Sequence, residues 1–130
     1  MKNIQLTCAH ALVKFLIAQK TLIDQKKVPL FPGVFGIFGH GNVACLGQVL
    51  EENKKELPTW RGHHEQNMAL TGIAYSRAKR RKQIFIATSS VGPGSTNMIT
   101  AAAVAMSNSC LLYTSPSPRD RTRSRMPSSA

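Results

Sequence analysis

Apolar residues at Leu6, Leu12, Val13, Phe15, Leu16 and Ile17 predict an amphipathic helix over residues 6–19, with Thr7 able to cap its start. Residues 21–32 are polar and include Pro29 and Pro32, so they read as a loop. The short apolar run Val34-Phe35-Gly36-Ile37-Phe38 predicts a buried strand, and a helix follows from about Val43 to Asn53. Pro58 opens an extended segment that runs to Gly62. A second helix is expected from Glu65 to Ala78 and a stronger buried strand over residues 83–89. After the turn 90–94, Ser95 or Thr96 is expected to cap an Ala-rich helix reaching Ser107.

After the first helix, the order strand–helix occurs three times. Alternation with short links argues for an α/β fold, a parallel sheet with helices on both faces. Parallel strands all end on one edge, where ligands bind in such folds. The polar loops 39–42, 62–64 and 90–97 each follow a strand and should gather there. That places His40, His63, His64, a Gly-rich turn and Glu65 within reach of one another.

Charge adds one sharp feature. Glu65 is the only carboxylate between Leu57 and Arg119, in a chain of formal net charge +11. Surface helices usually mix acids and bases on their solvent face, so a lone acid beside an apolar run suggests a placed carboxylate. The positive excess does not mark a nucleic-acid binder. Lys79, Arg80, Arg81 and Lys82 suit a solvated helix C-terminus, and no aromatic residues interleave with them. No apolar run approaches a membrane span and no signal peptide is recognisable, so no membrane partner is expected. Cys8, Cys45 and Cys110 are odd in number and widely spaced, which fits free thiols in a reducing cytoplasm.

Composition breaks near Asn108. Residues 110–120, Cys110 to Asp120, resemble a translated transposase-type sequencing adapter. Residues 121–123 would be its variable index, and residues 124–130 match its far end. The expected organisation is therefore a partial domain over 1–109 and a disordered, adapter-derived tail over 110–130, with the native product continuing differently after Asn108. Four arginines and one aspartate in that tail account for three of the eleven net positive charges.

The residues leave several chemistries open. Gly92-Pro93-Gly94-Ser95-Thr96-Asn97 is a Gly-rich turn opening a helix. It could hold an anion or be a tight turn, but it lacks the third glycine of a dinucleotide fingerprint and the lysine of a phosphate loop. His63, His64 and Glu65 lack the histidine four residues on that a helical zinc motif needs, so no metal site is assigned. Glu65 by itself could simply be a helix N-terminal acid favoured by the dipole.

Three elements in order, His64-Glu65-Gln66-Asn67-Met68-Ala69, then Gly72-Ile73-Ala74-Tyr75, then Gly92-Pro93-Gly94-Ser95-Thr96-Asn97 after a strand, resemble the pyrimidine-binding domain of thiamine diphosphate enzymes. Ile73 slightly interrupts that family's Gly-Tyr-Ala order. The segment 37–43 around His40, with Leu6-Thr7 and residues 11–16, looks like the branch that hydrolyses a cyclic dione in myo-inositol breakdown. The likeness covers nearly all of residues 4–108.

The resemblance implies a truncated pyrimidine module of the thiamine diphosphate-binding fold. It implies Glu65 as the catalytic residue, hydrogen-bonded to a ring nitrogen of the cofactor's aminopyrimidine. The cofactor-binding set is Glu65, Gly92, Pro93 and Asn97, with His40 and His64 facing a small-molecule substrate. The Mg²⁺ and diphosphate would be held by a later Gly-Asp-Gly…Asn domain, which this sequence lacks, and the site would lie between subunits of a homodimer or higher oligomer. Sharing a proton requires a carboxyl of raised affinity, and burial of Glu65 is expected to outweigh the helix dipole. The segment alone is expected to be inactive. Competing readings are an acetolactate synthase-like relative and, in another class, a dinucleotide-binding module using residues 92–97.

Overall fold

A computed structural model of the chain describes residues 4–108. Helix α1 spans Cys8–Ala18, and the Thr7 hydroxyl accepts a hydrogen bond from the His10 N–H at 3.2 Å, as a capping residue should. The expected loop 21–32 is instead an antiparallel hairpin of β1 (Lys20–Ile23) and β2 (Lys26–Pro29). Asp24 and Gln25 turn it with φ of 48° and 63°, the left-handed pair whose twist matches that of paired strands. Lysines at three of the eight strand positions and a turn without glycine hid this hairpin in the sequence.

The main sheet has three parallel strands in the order β4–β3–β5: β4 is Thr59–Arg61, β3 is Val34–Gly36 and β5 is Ile86–Thr88. Val34 lies between Thr59 and Ile86, Phe35 between Trp60 and Ala87, and Gly36 between Arg61 and Thr88. Side chains alternate across the pleat. Val34 therefore joins Val13, Val49, Leu50 and Leu57 in one core, with Ile86 packed against it. Phe35 faces the other way and stacks on Phe85 at 4.8 Å, with Tyr75 edge-on to Phe85 at 4.7 Å. Helices thus cover both faces. Strands β3 and β5 are shorter than the apolar runs that predicted them. Gln83 guides the approach to β5 instead, donating to the Pro29 carbonyl at 2.8 Å and accepting from the Tyr75 hydroxyl at 3.1 Å.

The helix expected over 43–53 is a composite: α2 (His40–Asn42), a π turn (Val43–Gly47) and α3 (Gln48–Glu52). Helix α4 runs from Glu65 to Ala78 as expected. It closes through left-handed Arg80 and Arg81, where the Arg81 N–H reaches the Ser76 carbonyl at 2.7 Å, and the basic block is exposed as a solvated helix end would be. The Ala-rich helix is divided. Pro93 at its first position starts a separate short helix, α5 (Pro93–Thr96), and α6 begins only at Ile99 and runs to Ser107. Ser95 and Thr96 therefore cap nothing; their hydroxyls donate back to the carbonyls of Ser90 and Gly92, each at 3.0 Å. Ala101 and Ala105 of α6 pack on Ala69 and Ile73 of α4, where small side chains let the two helices approach closely. The tail 110–130 and Cys110 lie outside the described residues; Cys8 and Cys45 are free and exposed.

Leu57 is fully buried, whereas Ile99 is 63% exposed. Leu57→Ala is expected to cost about 2–5 kcal/mol in urea denaturation, through lost transfer energy and the cavity left behind. Ile99→Ala should stay within about 0.5 kcal/mol of the parent chain.

Candidate functional site

Because the strands are parallel and in register, Gly36, Arg61 and Thr88 release their three following loops at one edge. Two contacts draw the first and third loops together. The Asn42 amide donates to the Ser89 carbonyl at 3.3 Å. Gly39 lies so close to Ser90 that a Cβ on it would fall 2.7 Å from the Ser90 Cβ.

The second loop delivers Glu65. His64 is the extended residue before α4 (φ −153°, ψ 128°), and Glu65 is the first helical residue. His63 and His64 stay exposed while Glu65 turns inward to 9% exposure. Its Oε2 accepts a hydrogen bond from the Asn97 amide at 3.1 Å. Asn97 reaches it because α5 is one tight turn: the Thr96 and Asn97 N–H groups bond to the carbonyls of Gly92 and Pro93, each at 3.0 Å. Gly92 permits that turn by taking φ 70° and ψ −117°, a conformation that L side chains rarely adopt. Gly92 and Pro93 are themselves exposed. They build the turn that presents Asn97.

Two residues of this cluster were missed from the sequence. Gly94 is buried, and a Cβ there would lie 2.9 Å from Glu65 Oε1 and 2.5 Å from Ser90 Oγ. The repeated glycine in Gly92-Pro93-Gly94 was the available signal: only the first has a positive φ, so the second serves space. Ser90 had no such signal, since its place between Gly39 and Gly94 exists only in three dimensions.

The expected raised proton affinity of Glu65 is overturned. The Asn97 amide, then the residue's own backbone N–H, hold the carboxyl below its ordinary 4.5, and nearby His64 adds to this; burial pushes upward but does not prevail. A carboxylate that accepts hydrogen bonds is stabilised in its charged form.

His64 borders a cleft of about 230 Å³ with Phe35, Arg61, Gly62, His63, Asn67, Met68 and Thr71. His40 is exposed at the start of α2 and does not line that cleft. Among the described residues no group of three or more His, Cys, Asp or Glu could hold a metal ion, and no helix is long and apolar enough to cross a membrane.

Residues 31–119 match the family model described as thiamine pyrophosphate enzyme, N-terminal TPP binding domain. The chain belongs to this thiamine pyrophosphate enzyme family. Proteins called 3D-(3,5/4)-trihydroxycyclohexane-1,2-dione hydrolase are similar to the chain. That of Geobacillus thermodenitrificans is 54% identical over 108 residues, 83% of this chain and 17% of the relative. That of Bacillus thuringiensis is 52% identical over the same shares. That of Clostridium tetani is 46% identical over 123 residues, 95% of this chain and 19% of the relative. The chain thus spans less than a fifth of the length of these curated relatives.

A carboxyl held below 4.5 in the fold gives stability that is fully present above that value and is lost as pH falls through the folded value. Glu65→Gln removes this titration. Urea midpoints measured at successive pH values below 4.5 should fall less steeply for the variant than for the parent.

Proposed function

We propose that the chain is the N-terminal, pyrimidine-facing segment of a thiamine diphosphate-dependent hydrolase that cleaves a C–C bond of a cyclic 1,2-dione in myo-inositol breakdown. The observation that carries this reading is the Glu65 carboxylate, anchored by Asn97 at the strand ends of a thiamine pyrophosphate enzyme domain. The residues fit the cofactor's aminopyrimidine. A hydrogen-bond-accepting carboxylate stands beside Gly94, where any side chain would crowd Oε1. The substrate class follows from the names of the relatives.

When bound, the cofactor supplies a carbon nucleophile and an electron sink for breaking a C–C bond. The chain's own part is narrower. Glu65 holds or accepts a proton at a ring nitrogen of the aminopyrimidine. Gly92 and Pro93 shape the wall beside it, and His64, with His40 further along the edge, faces the substrate. The Mg²⁺ and the diphosphate are held by parts of the enzyme beyond this segment, and the complete site forms between subunits of a cytoplasmic homo-oligomer.

A chimera tests the reading: residues 1–108 replace the matching segment of the Geobacillus relative, to which they are 54% identical. The chimera should exchange the cofactor's C2 proton and open the dione. Glu65→Gln in it should slow C2–H exchange by about 10²-fold or more, the scale of a lost acid–base group. Near-parent exchange would remove Glu65 from the reaction. The 130-residue chain alone, given thiamine diphosphate and Mg²⁺, should show no turnover of the dione.

A further inference from the structure

Glu65 offers two oxygens with different surroundings. Among the described residues, Asn97 is the only side-chain donor to the carboxylate, and it engages Oε2. Oε1 lies over Gly94, at the spot where any larger residue would intrude. The Asn97 backbone is held, because its N–H is bonded to the Pro93 carbonyl and α5 ends on it. A glutamate has three side-chain torsions to lose on fixing its carboxylate, so one anchored oxygen restricts the other to a small volume.

We propose that Asn97 is a positioning residue: its amide anchors Glu65 Oε2, so that Oε1, above the side-chain-free Gly94, is the oxygen presented to the cofactor's aminopyrimidine. Asn97 therefore acts through Glu65 and not as a direct contact to the cofactor. The inference rests on the proposed cofactor role for Glu65 only in its last clause; the anchoring itself is independent of it.

The same hydrogen bond has an electrostatic consequence. An amide donor on Oε2 favours the ionised carboxylate and is the first cause that lowers the affinity of Glu65 for a proton. Asn97 thus sets both the direction of the carboxylate and its charge. His64, exposed beside it, is the other described group with an electrostatic influence on Glu65.

Two measurements test the idea, the first of them separately from the reaction. The chain contains only four glutamates, so ¹³C labelling of their carboxyl carbons gives four resonances, and Glu65→Gln identifies one. In cofactor-free chain, Asn97→Ala should raise the midpoint of that resonance by about half a pH unit or more. Asn97→Asp, of equal size but like charge, should raise it further. An unchanged midpoint in both variants would overturn the anchoring. In the chimera, where folding is supported by the rest of the enzyme, Asn97→Ala should shift the acid limb of the C2–H exchange profile upward and slow exchange about tenfold, with cofactor affinity nearly unchanged. Loss of cofactor affinity with an unmoved pH profile would make Asn97 a direct contact and overturn the proposal. If the midpoint shifts but Glu65→Gln leaves exchange intact, the anchoring stands and the cofactor role of Glu65 falls.

Discussion

The parallel pairing of β4, β3 and β5 is the constraint on which everything else in this structure depends. Parallel strands end on the same edge, so each strand-to-helix loop must emerge there. The register brings Gly36, Arg61 and Thr88 side by side, and the residues just beyond them have no other place to go. The sheet itself is held from both sides. Val34 faces a core with Val13, Val49, Leu50 and Leu57, while Phe35 faces Phe85 and, through it, Tyr75 of α4. Helix α4 is thus fixed near its C-terminal end by aromatic packing and along its middle by Ala101 and Ala105. Glu65, at its first turn, inherits that position.

Closeness at the edge is achieved by leaving atoms out. Gly39 and Gly94 bracket Ser90, and neither could carry a side chain without moving its neighbour. The serine hydroxyls of this segment turn inward on their own loop, Ser95 to the Ser90 carbonyl and Ser89 to Ser95, so the loop is stiffened from within. Into that space Glu65 brings one carboxylate, and four influences compete over its proton, the weakest of them from His64. Burial favours the neutral form; the Asn97 amide and the residue's own N–H favour the charged one and prevail. A carboxylate held in this way is stabilised in its ionised form.

Much of the architecture was legible in the chain. The limits of α4 follow from the apolar pattern and its N-terminal acid, and Thr7 caps α1 through an ordinary local contact. The hairpin β1–β2 was not legible, because its lysines and its Asp24-Gln25 turn look like a solvated loop when no pairing partner is known. The break between α5 and α6 was also hidden. Alanines favour one continuous helix, but Pro93 and the back-bonding hydroxyls of Ser95 and Thr96 close a separate turn. That break matters, since it aims Asn97 at Glu65.

By itself, the sequence determined the parallel topology, the edge at which the polar loops meet and the element types outside the hairpin and the divided helices. Periodicity and loop chemistry are local properties, and strand direction follows from alternation. It also singled out Glu65 through the absence of other acids between Leu57 and Arg119. Only the tertiary structure decided which groups share that carboxylate. Asn97 lies 32 residues away along the chain, and Gly94, itself packed on Ser90, meets it through packing of separate loops. The direction of its proton affinity was decided there too. Burial can be guessed from apolar neighbours, but a single well-placed amide donor can outweigh it, and that placement exists only once the sheet has brought the loops together.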